Sequence, residues 1–202
     1  AEWSIPGSVH LDVYDAVGMN APSALDEFRP PSAAPVVTVC YRGNGSLLAT
    51  ARLRERGIPA LSLYGGMREW SLAWNVAQVE TAGRRDGRTA DVLQVRRTGK
   101  GCLSYIVGSA GKAAVIDPSL GPEIYLDLAG EREWIITSVL DTHVHADHLS
   151  RARPLAEQAG AALYLPDQQR VKFPFTALKD GEVVEVGEAR LTTLSTPGHT
   201  FE

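Results

Sequence analysis

The segment DTHVHADHLS places three of the chain's five histidines and one aspartate within six positions. It follows WIITSVL, an apolar run that is typical of a buried strand. In an extended segment, side chains two residues apart point the same way. His143 and His145 can therefore converge on one point just past the strand end, while Asp147 and His148 fall on the next turn. Because imidazoles and carboxylates are usual ligands of zinc and non-haem iron, the segment predicts a metal site.

A further candidate ligand, His199, lies in TPGHT, between a proline-glycine corner and a threonine at the end of another predicted strand. The alternative is structural: His143 and His145 would face solvent from a loop, and Asp147 would cap a helix that begins near His148. Capping and facing the site do not exclude each other. Four candidate ligands directly after one apolar strand favour the metal site.

The remainder of residues 92–202 alternates short apolar runs with turns. DVLQVRR, CLSYIVG and KAAVIDP predict strands of a meander or sandwich, and AALYLP predicts another strand. EIYLDLAGEREW and LSRARPLAEQAG have helical spacing, and EVVEVGEARLTTLS predicts a hairpin that turns at Gly187-Glu188. Strands and helices alternate here as in an α/β fold.

Residues 35–64 predict one βαβ unit. PVVTV is a β-branched run too short for a helix, GNGSLLATARLRERG switches to helical spacing, and IPALSLYGG returns to an extended stretch. Cys40 then lies at the carboxyl end of the first strand, where ligands bind in open parallel sheets. The polar stretch ETAGRRDGRTAD marks a connection. We therefore predict a first domain over 1–80, a linker over 81–91 and a second domain over 92–202.

Charge and hydropathy exclude several classes of partner. The formal net charge is -4 and no basic run is longer than two residues, so nothing indicates binding to nucleic acid or an anionic membrane. No apolar run approaches the roughly 18 residues of a membrane span, and the N-terminus lacks a signal-peptide pattern. Because a disulfide scaffold would normally carry more cysteines than Cys40 and Cys102, we expect both reduced, in the cytoplasm.

The loop CYRGNGS predicts an activated cysteine. Its two glycines allow the chain to curl so that N-H groups face inward, and a helix that starts near Ser46 adds its positive end. Both effects favour the thiolate of Cys40, which can attack a sulfane sulfur and carry it as a persulfide. Arg42 could contact an anionic donor or lie in solvent. The alternative is that Cys40 is a small buried hydrophobe, as we expect for Cys102.

The histidine motifs THVHADH and TPGHT resemble those of the metallo-β-lactamase superfamily, whose members fold as αββα sandwiches. The resemblance implies that His143, His145 and His199 surround one metal, and that Asp147 and His148 serve a second metal where one is present. We expect the rings of His143 and His199 to lie within ~8 Å of each other, as a shared coordination sphere requires.

GCLSYIVG, AVIDPSL and VLDTHVHADHLS look like the persulfide dioxygenase branch of that superfamily and its relative glyoxalase II. Persulfide dioxygenases hold one iron with two histidines and an aspartate. Carried over, the histidines are His143 and His199, which leaves His145, Asp147 and His148 beside the metal. The matching aspartate falls beyond Glu202. We therefore expect this chain to contain one half of a sandwich and an incomplete metal site, which a companion segment would complete.

VTVCYRGNGSLLATARLRERGIPALSLYGGMREW resembles the rhodanese (sulfurtransferase) family, in which a strand delivers a cysteine into a loop of backbone amides. Cys40 occupies the nucleophile position. The chain begins almost at IPGSVHLDV, so we expect the family's usual first strand to be absent. The implied fold is a partial parallel sheet with flanking helices, followed by the half sandwich.

The two resemblances together imply a role in sulfur metabolism. A thiol persulfide, of glutathione or a similar small thiol, would be oxidised to sulfite at iron(II), and Cys40 would exchange sulfur with thiosulfate or sulfite. One alternative is a glyoxalase II-like thioester hydrolase that uses zinc. The other is a non-catalytic sulfur-carrier or docking module.

Overall fold

The computed structural model describes residues 4–19, 21, 23–79, 90–145 and 149–201. The chain divides into two units, residues 1–71 and 72–202. Within the described ranges, no helix combines the length and the apolar character that a membrane crossing requires.

In the first unit, two short parallel strands are connected through a helix. The elements are α1 (Tyr14–Gly18), β1 (Val36–Thr38), α2 (Asn44–Glu55), β2 (Ala60–Ser62) and α3 (Gly66–Trp70). Because β1 and β2 pair in parallel, the expected βαβ unit is confirmed.

The core of this unit lies between the strands and helix α2. Leu53 is 2% exposed and packs with Val17, Leu25 and Ala60. Helix α2 begins directly after Gly43, whose φ of 91° falls in the left-handed region that glycine adopts at little cost. The turn into the helix therefore depends on this glycine.

Among the described residues of the second unit, seven strands form one sheet. Their order is β3 (Asn75–Val79), β4 (Asp91–Arg97), β5 (Cys102–Ser109), β6 (Lys112–Ile116), β7 (Ile135–Leu140), β8 (Ala162–Pro166) and β9 (Thr176–Leu178). Neighbours from β3 to β6 are antiparallel, and neighbours from β6 to β9 are parallel. The predicted meander over the first strands is confirmed.

Different layers cover the two faces of this sheet. Helices α4 (Pro122–Gly130) and α5 (Ala152–Ala159) pack on one face, where Val115 and Leu155 are fully buried. The hairpin of β10 (Val183–Val186) and β11 (Ala189–Thr192) packs on the other face, against Ala114 and Leu140. Because neighbouring residues of β6 point to opposite faces, one strand serves both layers. Truncating a residue such as Leu155 to alanine would cost about 2–5 kcal/mol.

This arrangement of helices, sheet and hairpin confirms the expected α/β fold class. The hairpin turns at residues 187 and 188 as predicted, since Val186 pairs with Ala189. The predicted first domain ended at residue 80 and so included the residues of β3, but β3 pairs with β4 along its whole length and belongs to the second unit. Most of the predicted linker lies outside the described residues, and its last residue, Asp91, begins β4.

Candidate functional site

Cys40 lies just after β1, in a loop that curls around its sulfur. The backbone N-H groups of Gly43 and Ser46 donate to Sγ over 3.2 and 3.4 Å. Burial raises the pKa of the Cys40 thiol, but hydrogen bonds from Ser46, Gly43 and the Arg42 backbone outweigh it and hold that pKa below its ordinary value. The start of α2 adds its positive end. The arrangement favours a nucleophilic thiolate.

Helix α3 fixes the backbone of this loop from the other side. The N-H of Met67 donates to the Cys40 carbonyl over 2.9 Å, and the N-H of Arg68 donates to the Tyr41 carbonyl over 3.0 Å. Gly66 has a φ of +63°, and a Cβ at this position would clash with the Cys40 carbonyl oxygen. The close approach of helix and loop therefore requires glycine.

Hydroxyl groups underneath the loop hold Ser46 in place. Ser46 is 2% exposed, and its Oγ donates to the Gly43 carbonyl and contacts Oγ of Ser62 over 2.9 Å. Thr38 and Thr50 both donate to the Ser46 carbonyl over 2.8 Å. Sequence reasoning did not identify this network, because its members lie on two strands and a helix.

Arg42 presents its backbone, rather than its charge, to the thiol. The side chain is exposed, with the guanidinium carbon 6.0 Å from the centroid of the Tyr41 ring. Its backbone N-H contributes to lowering the pKa of Cys40. A contact between the guanidinium and an anionic donor stays a prediction.

Three predicted ligands of the second unit come together beyond the strand ends. The ring centroids of His143 and His145 are 4.1 Å apart, and those of His143 and His199 are 5.3 Å apart. The second distance is inside the ~8 Å that a shared coordination sphere allows. Asp147 and His148 lie outside the described residues, so the complete ligand set stays a prediction.

Asp117, which sequence reasoning did not single out, links two of these histidines. Its carboxylate accepts hydrogen bonds from the Thr142 N-H over 2.6 Å and the Thr142 hydroxyl over 2.7 Å. Since that hydroxyl donates its proton to Asp117, it can accept one from Nδ1 of His143, 2.9 Å away. This tautomer leaves Nε2 of His143 as the lone-pair donor for a metal.

His145 lies between two carboxylates. Its Nε2 is 3.3 Å from Oδ1 of Asp117 and 3.6 Å from Oδ1 of Asp141. Burial lowers the pKa of His145, but the bonds and charges of Asp117 and Asp141 outweigh burial and raise that pKa to about 9. Conversely, burial raises the pKa of Asp117, but His145 and Thr142 hold it below its ordinary value. The Ser150 hydroxyl donates to the other oxygen of Asp141 over 2.7 Å.

The charge at this site suits a cation. Ligand atoms of Asp117, Asp141 and His145 lie within 4.8 Å of one another and could themselves hold a metal ion. This set shares His145 with the predicted ligands. In the other arrangement, the carboxylates contact Nε2 and orient the ring of His145. Nδ1 of His145 would then bind the metal together with His143. In either case a metal would displace one proton from the protonated His145 ring: the Nε2 proton in the first arrangement and the Nδ1 proton in the second.

Residues 97–200 match the family described as the metallo-beta-lactamase superfamily. The chain belongs to this superfamily. Residues 1–73 match a rhodanese-like domain, which contains Cys40 and its loop. Both family resemblances expected from the motifs are confirmed.

Several curated relatives match the metallo-β-lactamase half. A hydroxyacylglutathione hydrolase of Pseudomonas putida is 33% identical over 90 residues, which are 45% of this chain and 35% of the relative. Another, from Cereibacter sphaeroides, is 36% identical over 108 residues, or 49% of this chain and 42% of the relative. The chain thus spans well under half the length of these relatives.

Solved structures also resemble the chain. ETHE1 from Myxococcus xanthus has a TM-score of 0.45 at 32% identity, over 48% of this chain and 44% of that protein. A metallo-β-lactamase from Staphylococcus aureus has a TM-score of 0.47 at 26% identity, over 65% of this chain and 37% of that protein.

In the metallo-β-lactamase unit, a buried tyrosine supports the turn that carries Asp117. Oη of Tyr125 accepts from the N-H groups of Ser119 and Leu120 over 2.9 and 3.2 Å, and contacts Oγ of Ser104 over 2.9 Å. Ser104 in turn donates to the Asp117 carbonyl over 2.8 Å. Strand position could have indicated Asp117 and Asp141, because parallel neighbours β6 and β7 end at one sheet edge just before them.

Proposed function

We propose that the protein acts in sulfur metabolism, oxidising a small thiol persulfide to sulfite and moving sulfane sulfur through a persulfide on Cys40. Overall, a thiol persulfide, dioxygen and water would give a thiol, sulfite and protons. The outer sulfur is oxidised and dioxygen is reduced. The substrate class we propose is the persulfide of glutathione or a similar thiol.

The observation that carries this proposal is the pair of backbone N-H groups that Gly43 and Ser46 direct at the Cys40 sulfur. A thiolate held in this way can attack the sulfane sulfur of thiosulfate or of a persulfide. The new bond joins the two sulfurs, and sulfite or a thiolate leaves with the electron pair of the broken bond. A thioester hydrolase has no step that needs such a cysteine.

In the second unit, His143 and His199 would hold the iron, with His145, Asp147 and His148 beside it. When bound, iron(II) would supply the open coordination positions and the redox chemistry that persulfide oxidation by dioxygen requires. Asp117 would orient both histidines. It contacts His145 directly and reaches His143 through the Thr142 hydroxyl.

Thioester hydrolysis is a second candidate, favoured by the relatives that are named hydroxyacylglutathione hydrolases. In that case zinc would replace iron, and Asp147 and His148 would become direct ligands of a second ion. Both candidates involve glutathione derivatives, and both require a metal. They differ in the reaction that the metal supports.

The deciding experiment supplies glutathione persulfide and S-lactoylglutathione separately to the protein at its natural length, with bound metal quantified. We expect oxygen uptake matched by sulfite formation with the persulfide, and slow thioester loss. Rapid thioester loss without persulfide-dependent oxygen uptake would establish the hydrolase instead.

We propose a cytoplasmic location, consistent with the free thiols of Cys40 and Cys102.

A further inference from the structure

A cavity of about 270 Å³ lies beside the cysteine loop of the first unit. Helix α1 with the residues after it forms one side, and the first turns of α2 form the other. The lining residues are Tyr14, Asp15, Gly18, Met19, Asn44, Gly45 and Leu48. Ligand pockets for drug-sized molecules start at ~300 Å³, so this cavity suits a group of a few heavy atoms.

Gly45 forms the part of the wall that faces the thiol. A Cβ added at Gly45 would lie 3.8 Å from Sγ of Cys40 and 3.5 Å from the ring of Tyr14. The missing side chain therefore leaves a gap between the sulfur and the ring. An organic group attached to a sulfur that reacts with Cys40 would have this gap beside it, on the side of the cavity.

The lining combines the apolar surface of Tyr14, Met19 and Leu48 with the carboxylate of Asp15 and the amide of Asn44. Tyr14, Met19 and Leu48 are 73%, 77% and 49% exposed, so a ligand in the cavity could cover their apolar surface. Asp15 is the one charged side chain among the lining residues, and the Arg42 guanidinium lies near the Tyr41 ring instead. A dianion such as thiosulfate would face a carboxylate here, whereas an ammonium group would be attracted to it.

We propose that this cavity binds the carbon chain of a small organic thiol persulfide, and that it favours chains that are uncharged or carry an ammonium group. The inference rests on the sulfur transfer proposed above. The Cys40 thiolate attacks the outer sulfur of a protonated persulfide, and a bond forms between the two sulfurs. The donor's sulfur-sulfur bond breaks, its electron pair leaves on the organic thiolate, and the proton stays on the transferred sulfur. No oxidant is consumed.

The charge preference is tested with three persulfides of similar size, prepared from 2-mercaptoethylamine, 2-mercaptoethanol and 3-mercaptopropionate. With the full chain, we expect kcat/KM for transfer to Cys40 to fall in that order, with a spread of about five- to tenfold. Asp15→Asn should reduce this spread to within about twofold, as should high salt. Asp12→Asn, an exposed residue of the same segment outside the lining, should leave the spread unchanged.

The volume of the cavity is tested with a matched pair of substitutions on α2. Leu48→Trp fills the cavity, and Leu47→Trp places the same side chain at a neighbouring position that is 60% exposed and outside the lining. We expect Leu48→Trp to lower kcat/KM for the 2-mercaptoethanol persulfide by about tenfold, and for thiosulfate by less than about twofold. Leu47→Trp should change neither value, and circular dichroism should show the same fold for both variants.

Mass spectrometry of Cys40 separates the failure of this inference from the failure of the proposed function. If Cys40 gains sulfur from none of the donors, the proposed sulfur transfer is wrong. If Cys40 gains sulfur but Leu48→Trp lowers transfer from thiosulfate and from organic persulfides equally, the cavity does not bind the organic group. If Asp15→Asn leaves the spread of the three persulfides intact, the charge preference is overturned.

Discussion

The cysteine loop and the histidine cluster hold their reactive groups in opposite ways. Residues 40–46 form a contiguous segment, and backbone N-H groups of that same segment contact the Cys40 sulfur. The histidine cluster brings together His199 and residues of two parallel strand ends, and the contacts of its histidine rings are with other side chains. The first site depends on backbone conformation, and the second depends on carboxylates placed by tertiary packing.

This difference predicts different sensitivities to mutation. Removing one side chain near Cys40 keeps both donating backbone N-H groups, whereas a change in backbone shape turns them away from the sulfur. At the histidine cluster the reverse holds, because an amide in place of a carboxylate keeps the shape but loses the charge.

The largest effect is expected for Cys40→Ser. A hydroxyl at this position keeps the loop but is a far weaker nucleophile, so transfer of sulfur from thiosulfate to a thiol should fall on the order of 10³-fold or more. Cys102→Ser, at the start of β5, is the control and should keep activity. If Cys40→Ser retained transfer, the cysteine would not be the carrier. If wild type showed no transfer but bound a persulfidated partner as well as the variant does, the docking alternative would hold.

Gly66→Ala tests whether the cysteine loop depends on its backbone conformation. The added Cβ clashes with the Cys40 carbonyl oxygen at a φ of +63°, so the loop or α3 must shift. We expect a loss of about 2–3 kcal/mol in the free energy of unfolding and a large fall in sulfur transfer. Gly57→Ala is the control, since it also has a positive φ but its Cβ would meet nothing within 4 Å.

Gly57→Ala should cost only about 1 kcal/mol, from the unfavourable φ alone, and should keep transfer activity. Urea denaturation gives the free energies, and trapping of the Cys40 persulfide gives the activity. Equal effects of the two substitutions would mean that the contact between α3 and the loop contributes nothing to the site.

Asp117→Asn tests whether the histidine cluster depends on the charge of a carboxylate. The loss of this carboxylate should lower affinity for Zn²⁺ or Fe²⁺ by about 10- to 100-fold, because His143 and His145 lose their common partner. In the metal-free protein, NMR should show the pKa of His145 falling from about 9 toward its ordinary value. Asp127→Asn, exposed on α4, should change neither quantity. A His145 pKa that stayed near 9 would mean that groups other than Asp117 stabilise the protonated ring of His145.

The comparison also explains what could be predicted from the sequence. The cysteine loop was predicted with its donors because all of its parts are adjacent in sequence. His143 and His145 were predicted because their spacing follows one strand, and His199 because it lies at the corner after another strand. Asp117 and Tyr125 were not, since their roles depend on the pairing of β6 with β7 and on a turn packed under α4. The domain boundary differed because the pairing of β3 with β4 spans the polar stretch between them.

The smallest effect concerns the thiolate of Cys40 itself. Because the loop amides hold the pKa of Cys40 below its ordinary value, its alkylation by iodoacetamide should reach half of its maximal rate at a lower pH than in the urea-unfolded chain. The Ser46 hydroxyl, like the Ser46 N-H, contributes to lowering this pKa, and Ser46→Ala removes the hydroxyl but keeps the N-H of residue 46. The half-point should therefore move only part of the way toward the unfolded value, with a few-fold loss of rate at pH 7. Ser8→Ala, exposed and distant in sequence, is the control. A complete shift in Ser46→Ala would mean that a side chain, and not the backbone, makes Cys40 acidic, and the contrast between the two sites would fail.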